Sequence, residues 1–246
     1  MLTKDVAEGI HRIEDSHVNW YIVEGDTGLT IVDAGLPTSW RSLHTALIQL
    51  GKNFADIKAL VLTHGHFDHI GFAEKLRSEM GVSVYVHDND VPLTRHPRQY
   101  ARARPVSWYL LTQFKAMPIV AGFLKNRAWW PKPIKEVYRI RSSSLAVPGE
   151  PQVLFTPGHT LGHCSLYFPD RDVVIAGDAV VTMNPYRGTQ GAQIVSNAAT
   201  ADPVRAIESL EVIAQTQART VLVGHGEPWN DGAESLVERA REHGPS

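Results

Sequence analysis

The segment "LTHGHFDHIG" at 62–71 places His64, His66, Asp68 and His69 within six positions. On an extended backbone, residues two apart point the same way, so His64 and His66 can present both imidazoles to one metal ion just beyond a strand. If the chain then turns into a helix, Asp68 and His69 leave in different directions and can reach a second ion beside the first. Candidates for the remaining ligands are His159 in "FTPGHTLGH", Asp178 in "VIAGDAV" and His225 in "LVGHGEPW". Each follows a strand-like run and is flanked by glycine, which lets backbone approach a crowded site. Imidazole and carboxylate without thiolate form a borderline-to-hard donor set, for which zinc is the default and iron, manganese and cobalt are alternatives. Two divalent ions about 3.5–4 Å apart would lower the pKa of a bridging water to roughly 7 and make hydroxide the nucleophile. Asp68 is then a candidate to orient that hydroxide or carry its proton. Cys164, the one cysteine, reads as a small buried apolar side chain rather than a nucleophile.

The elements that must position these groups can be read from periodicity. "VNWYIVEGDTGLTIVDAG" holds two strand-like pieces around Gly25, Asp26 and Gly28, a hairpin pattern. Residues 39–51 predict a helix with Ser39 as N-cap, Leu43, Leu47 and Leu50 on one face and Gly51 as the stop. A buried strand at 57–63, a helix over 70–80 and a strand at 82–87 follow. "QVLFTPGH", "CSLYFPD" and "DVVIAGD" read as consecutive strands, 203–217 as a helix, 220–226 as a strand with its loop, and 231–243 as a final helix. Every candidate ligand closes a strand.

The ordered set "HGHFDH", "PGHTLGH", "GD" and "GHG" resembles the metallo-β-lactamase-fold hydrolases over almost the whole chain except 91–147. That resemblance implies an α/β four-layer αβ/βα sandwich of two mixed sheets flanked by helices. It also implies a ligand set: His64, His66 and His159 on one ion, Asp68, His69 and His225 on the other, with Asp178 bridging and sharing the catalytic role with Asp68. His163 is outside that pattern and reads as a hydrogen-bonded structural histidine; Asp33 reads as supporting a ligand or forming a turn. The other histidines, His11, His17, His44, His87, His96 and His243, read as surface or packed residues. The family cleaves lactones, thioesters, phosphodiesters, sulfate esters and β-lactams, so fold does not name the reaction. Asp178 argues against a true β-lactamase, and the short chain after His225 argues against a glyoxalase II-like thioesterase. The lactonases it resembles carry tyrosine three residues after the bridging aspartate, where this chain has Val181; Tyr186 lies nearby. The expectation is a dinuclear metallo-hydrolase of the lactonase and glyoxalase II-like branch, acting on a carboxylic ester or lactone with an apolar portion. Rivals are a phosphodiesterase for a lipid or nucleotide, a thioesterase or mono-iron persulfide dioxygenase-like enzyme, and a non-catalytic metal-binding protein.

The chain has 246 residues, 43% of them hydrophobic, and a net charge of −2, enough for one large core and no whole-chain attraction to polyanions. Its N-terminus lacks the uninterrupted apolar run of a secretory signal, and "WYLLTQFKAMPIVAGFL" is broken by Lys115 and Pro118, so a cytoplasmic protein without a membrane span is expected. Residues 91–147 break the strand–helix rhythm and read as a helical cap inserted in a single domain spanning 1–246. They hold eleven Lys and Arg against Glu136 alone, a charge of +10 that leaves −12 for the rest. They also carry eight of the twenty aromatic residues. Trp108, Phe114 and Trp129, with Tyr186 beyond the insert, are candidate substrate contacts. The insert could instead pack against an acidic face of the same protein, form a homodimer interface or meet a membrane surface; a nucleic-acid role is not expected.

Overall fold

The computed structural model describes residues 1–105, 108, 112, 113 and 116–244. Strands β1 (Leu2–Ala7), β2 (Ile10–Asp15), β3 (Val18–Gly25), β4 (Gly28–Val32), β5 (Ile57–Val61), β6 (Ser83–His87) and β7 (Tyr138–Ile140) form one sheet in chain order. Its first half is antiparallel and the pairs from β4 to β7 are parallel. A second sheet has the order β13 (Thr220–Val223), β10 (Val173–Gly177), β9 (Cys164–Phe168), β8 (Gln152–Phe155). Only its β10–β13 pair is parallel, so both sheets are mixed. A hairpin of β11 (Val181–Asn184) and β12 (Thr189–Gln193) stands apart from both.

Side-chain alternation along these strands builds the layers. Tyr21, Val23, Val32 and Val61 of the first sheet meet Leu166, Val173, Ile175 and Leu222 of the second in the inter-sheet core. The opposite face of the first sheet, with Trp20, Ile22, Ile31 and Leu60, packs on helices α1 (Trp40–Gln49) and α2 (Ala73–Met80) through Leu43, Leu47 and Leu76. The opposite face of the second, with Val174, Val221 and Val223, packs on α5 (Pro203–Ala214) and α6 (Ala233–His243) through Leu210, Ile213 and Leu236. The result is the expected α/β sandwich of two mixed sheets with helices outside.

Local expectations agree closely. The β3–β4 hairpin pairs Gly25 with Gly28, and α1 ends before Gly51, whose φ of +69° suits a left-handed stop. Asp202 caps α5 by accepting from Arg205 N. Within 91–147 the described residues form α3 (Val91–Arg95), α4 (Met117–Lys125) and, at the far end, β7 on the edge of the large sheet. Strand β7 and the β11–β12 hairpin were not legible in the periodicity, because the first has three residues and the second is buried on both faces along β11.

Candidate metal centre

All the candidate ligands lie just past strand ends. His64 and its neighbours follow β5, His159 follows β8, Asp178 follows β10 and His225 follows β13. Strands β8, β10 and β13 run the same way, as do β4 and β5, so these ends line one edge of the sandwich. Backbone bonds stitch the two sheets together there: Cys164 N donates to Thr63 O at 2.9 Å and Asn19 N to Gly224 O at 2.8 Å.

The chain thereby brings together all seven predicted residues, each under a tenth exposed. One ligand atom from each of His64, His66 and His159 falls within 4.8 Å of the others, and the same holds for Asp68, His69 and His225. Asp178 sits between the two trios. Its Oδ2 lies 3.4 Å from His159 Nε2 and 3.2 Å from His225 Nε2, and its Oδ1 lies 3.6 Å from His69 Nε2. A third grouping, Asp33 with His64 and His69, is a hydrogen-bonded support. Asp33 Oδ2 accepts from His69 Nδ1 at 2.9 Å and from Thr63 Oγ1 at 2.8 Å, and Thr63 Oγ1 in turn accepts from His64 Nδ1 at 2.9 Å. His225 Nδ1 donates to His17 O at 2.7 Å. With Nδ1 protonated and directed outward, the Nε2 lone pairs of these three imidazoles face the centre.

Those inward atoms test whether metal fits. Nε2 of His64, His66 and His69, both ring nitrogens of His159 and Oδ1 of Asp178 are buried without a hydrogen-bond partner among the described residues. A buried acceptor left unpaired costs about 1–3 kcal/mol, and several converging on one point fit cations. Burial, with the neighbouring imidazoles, holds His64 and His159 well below the ordinary histidine range, and burial holds His66 down to about 3, so these three are neutral donors. Burial opposes ionisation of Asp178, yet His225, His69 and His159 keep its carboxyl well below the carboxylate range. His69 is pushed up to about 10: burial works against its charge, but Asp178, Asp33 and Asp68 outweigh it, and the same negative surroundings would favour a metal cation in place of the proton on Nε2.

The residues around the centre explain the motif spacing. Gly224 is needed because a Cβ there would stand 1.9 Å from Asp178 Oδ1. His163 is hydrogen-bonded on both sides, as its place outside the family's ligand pattern implied: Nε2 accepts from Asp178 N at 3.0 Å while Nδ1 bonds Thr156 Oγ1 at 2.9 Å. Burial pushes the Cys164 thiol up to about 12, so it is not a thiolate.

Asp90 escaped the sequence reading. Its carboxylate accepts from Gly65 N at 2.9 Å, Gly162 N at 2.8 Å and Thr160 Oγ1 at 2.7 Å, tying the His64–His66 turn to the His159 loop. Nothing in "HDND" distinguishes it from Asp88. Tyr100 also went unnoticed; its ring lies 4.6 Å from that of His66, and its hydroxyl bonds that of Tyr186.

Of the candidate substrate contacts, Trp129 and Tyr186 line a cavity of about 490 Å³ with Ile119, Val120 and Phe123. Trp108 is 46% exposed, its ring beneath the Arg104 guanidinium at 5.5 Å. Phe114 lies outside the described residues.

The profile of the Metallo-beta-lactamase superfamily matches residues 13–234. The chain belongs to that superfamily. Among curated relatives, the Bacillus subtilis (strain 168) protein "Probable metallo-hydrolase YflN" is 31% identical over 242 residues, covering 91% of this chain and 86% of the relative. A solved structure described as TTHA1623 in a di-iron-bound form is 26% identical, with a TM-score of 0.64 over 91% of this chain and 95% of that one. BJP-1, a subclass B3 metallo-beta-lactamase of Bradyrhizobium japonicum, is 17% identical with a TM-score of 0.68 over 98% of this chain and 91% of that one, a likeness of fold alone. Family, fold and the His/Asp cluster together make this superfamily member a metallo-hydrolase, its cluster consistent with a pair of adjacent metal ions.

Proposed function

We propose that the protein hydrolyses a carboxylic ester or lactone that carries an apolar acyl portion, using two divalent ions, zinc by default. The observation that carries this reading is the cavity beside the centre, walled by Ile119, Val120, Phe123, Trp129 and Tyr186. It is joined to the ligand loop through Phe67, between His66 and Asp68, whose ring lies 5.8 Å from that of Trp129 and 6.3 Å from that of Phe123. An acyl chain in that space would direct its carbonyl toward the ligand loop that carries Phe67.

His64, His66 and His159 would hold one ion and Asp68, His69 and His225 the other, with Asp178 shared. The bound ions supply an activated water and a Lewis-acid grip on the carbonyl. Asp68, its carboxyl raised by burial, is positioned to orient the attacking water and take up its proton. The paired hydroxyls of Tyr100 and Tyr186 provide a hydrogen-bond donor at the border between cavity and centre, suited to the developing oxyanion or the leaving oxygen.

The test is a panel of chromogenic esters, lactones, thioesters and phosphodiesters of graded chain length, assayed alongside metal analysis. Esters or lactones with longer acyl chains are expected to give the highest kcat/KM, and Trp129→Ala to raise KM for long chains far more than for short ones. Turnover confined to phosphodiesters or thioesters would overturn the reading, as would equal effects of Trp129→Ala at every chain length.

A further inference from the structure

Helix α4, "MPIVAGFLK", is apolar on every side until Lys125. Such a helix is ordinarily buried all round, yet α4 buries one face only. Ile119 and Phe123 pack inward with Phe67 and Trp129, while Met117, Ala121 and Leu124, at successive turns, face solvent. Met117 is 51% exposed, Leu124 54% and nearby Trp130 59%. The chain around this stripe carries one sign of charge. Arg98 lines the same cavity as Met117, Leu124 and Trp130, and Lys125, Arg127 and Lys132 are exposed next to it in sequence. From 91 to 135 the chain contains no Asp or Glu, the first acid being Glu136.

We infer that this face docks on an anionic lipid bilayer, with the Met117, Ala121 and Leu124 stripe and Trp130 entering the headgroup region and the surrounding cations meeting lipid phosphates. An apolar stripe with an interfacial tryptophan and flanking Lys and Arg is the arrangement of a helix lying in a membrane surface. Charge argues against a second copy of the same face, since a two-fold interface would set these cations against each other. No helix among the described residues is long and apolar enough to cross a membrane, so the contact is peripheral. Because the cavity opens among these same residues, docking would place its mouth at the lipid surface. Docking itself stands whichever bond the centre cleaves.

The full-length protein is sedimented with phosphatidylcholine vesicles and with vesicles containing phosphatidylglycerol, at low and high salt. Binding is expected to the anionic vesicles alone and to fall as salt rises. Lys125→Ala and Arg127→Ala should each weaken partitioning about five-fold, the effect of one cation near an anionic surface. Ala121→Glu should abolish it while metal content and turnover of a short soluble ester stay unchanged. Equal binding to both vesicle types would overturn the electrostatic docking. Failure to bind either, with dimers that Ala121→Glu dissociates, would assign the face to a second copy; failure to bind with capture by a polyacidic peptide would assign it to an acidic protein.

Discussion

At the scale of single residues, Asp178 is the position both ion sites depend on, because its carboxylate reaches His159 on one side and His69 and His225 on the other. Asp178→Ala should therefore lower both metal occupancies, measured by elemental analysis of the folded variant, and reduce turnover by more than about a hundred-fold, the upper end for losing a residue that only supports a ligand. Full metal content with full activity would defeat the assignment. Cys164→Ser should leave turnover unchanged, since the thiol is buried, protonated and bonded to Gly162 O; lost activity with metal and fold intact would instead indicate a thiol mechanism. Asp90 acts at one remove. Asp90→Ala strands the buried Gly65 and Gly162 amides, at a cost of about 2–5 kcal/mol in denaturant unfolding. Competition with a chelator should also show a weaker His64, His66 and His159 site.

At the scale of elements, the centre depends on how helices and loops are clamped to strand ends. Glu74 of α2 accepts from Arg77 Nε and Nη2, both at 2.9 Å, and from Lys135 N at 3.1 Å, fastening the 91–147 segment at Lys135 to the helix after His69. Arg77 holds the Glu74 carboxyl below the ordinary carboxylate range. Ionised Glu74 thus favours the folded state. That stabilisation is complete above the usual carboxylate pKa and is lost as pH falls through it towards the lower folded value. Glu74→Gln should flatten the acid limb of the stability profile, followed by thermal unfolding across pH 3 to 6, roughly the carboxylate range. An unchanged limb would remove Glu74 from the account.

At the scale of the whole molecule, the ligands come from both halves: the first four from the loop after β5 in the large sheet, the last three from loops of the small sheet. Bound ions would then cross-link the two halves and be linked to folding. A metal present at a thousand times its Kd adds about 4 kcal/mol, which is roughly 8–16 °C in Tm for a chain of this size. Scanning calorimetry before and after chelation should show a fall of that order, reversed on adding metal back. A Tm insensitive to chelation would mean that the ions bind without holding the sheets together.

The sequence by itself determined the chemistry and most of the scaffold. Strand alternation, the Gly51 stop and glycine-flanked ligands after strand-like runs are local patterns, and local patterns survive in one dimension. The set from His64 to His225 was readable because each motif carries its own turn and its own donor. What only the tertiary structure decided was adjacency. Asp33 and Thr63 support His69 and His64 because parallel β4 and β5 end side by side; Asp90 earns its role by joining the Gly65 turn to a loop 70 to 72 residues further along the chain than itself; Tyr100 and Tyr186 meet only because the 91–147 segment folds against the β11–β12 turn. The exposed stripe on α4 belongs to the same class. Its composition predicts burial, and only the packed fold reveals which face the protein itself leaves uncovered.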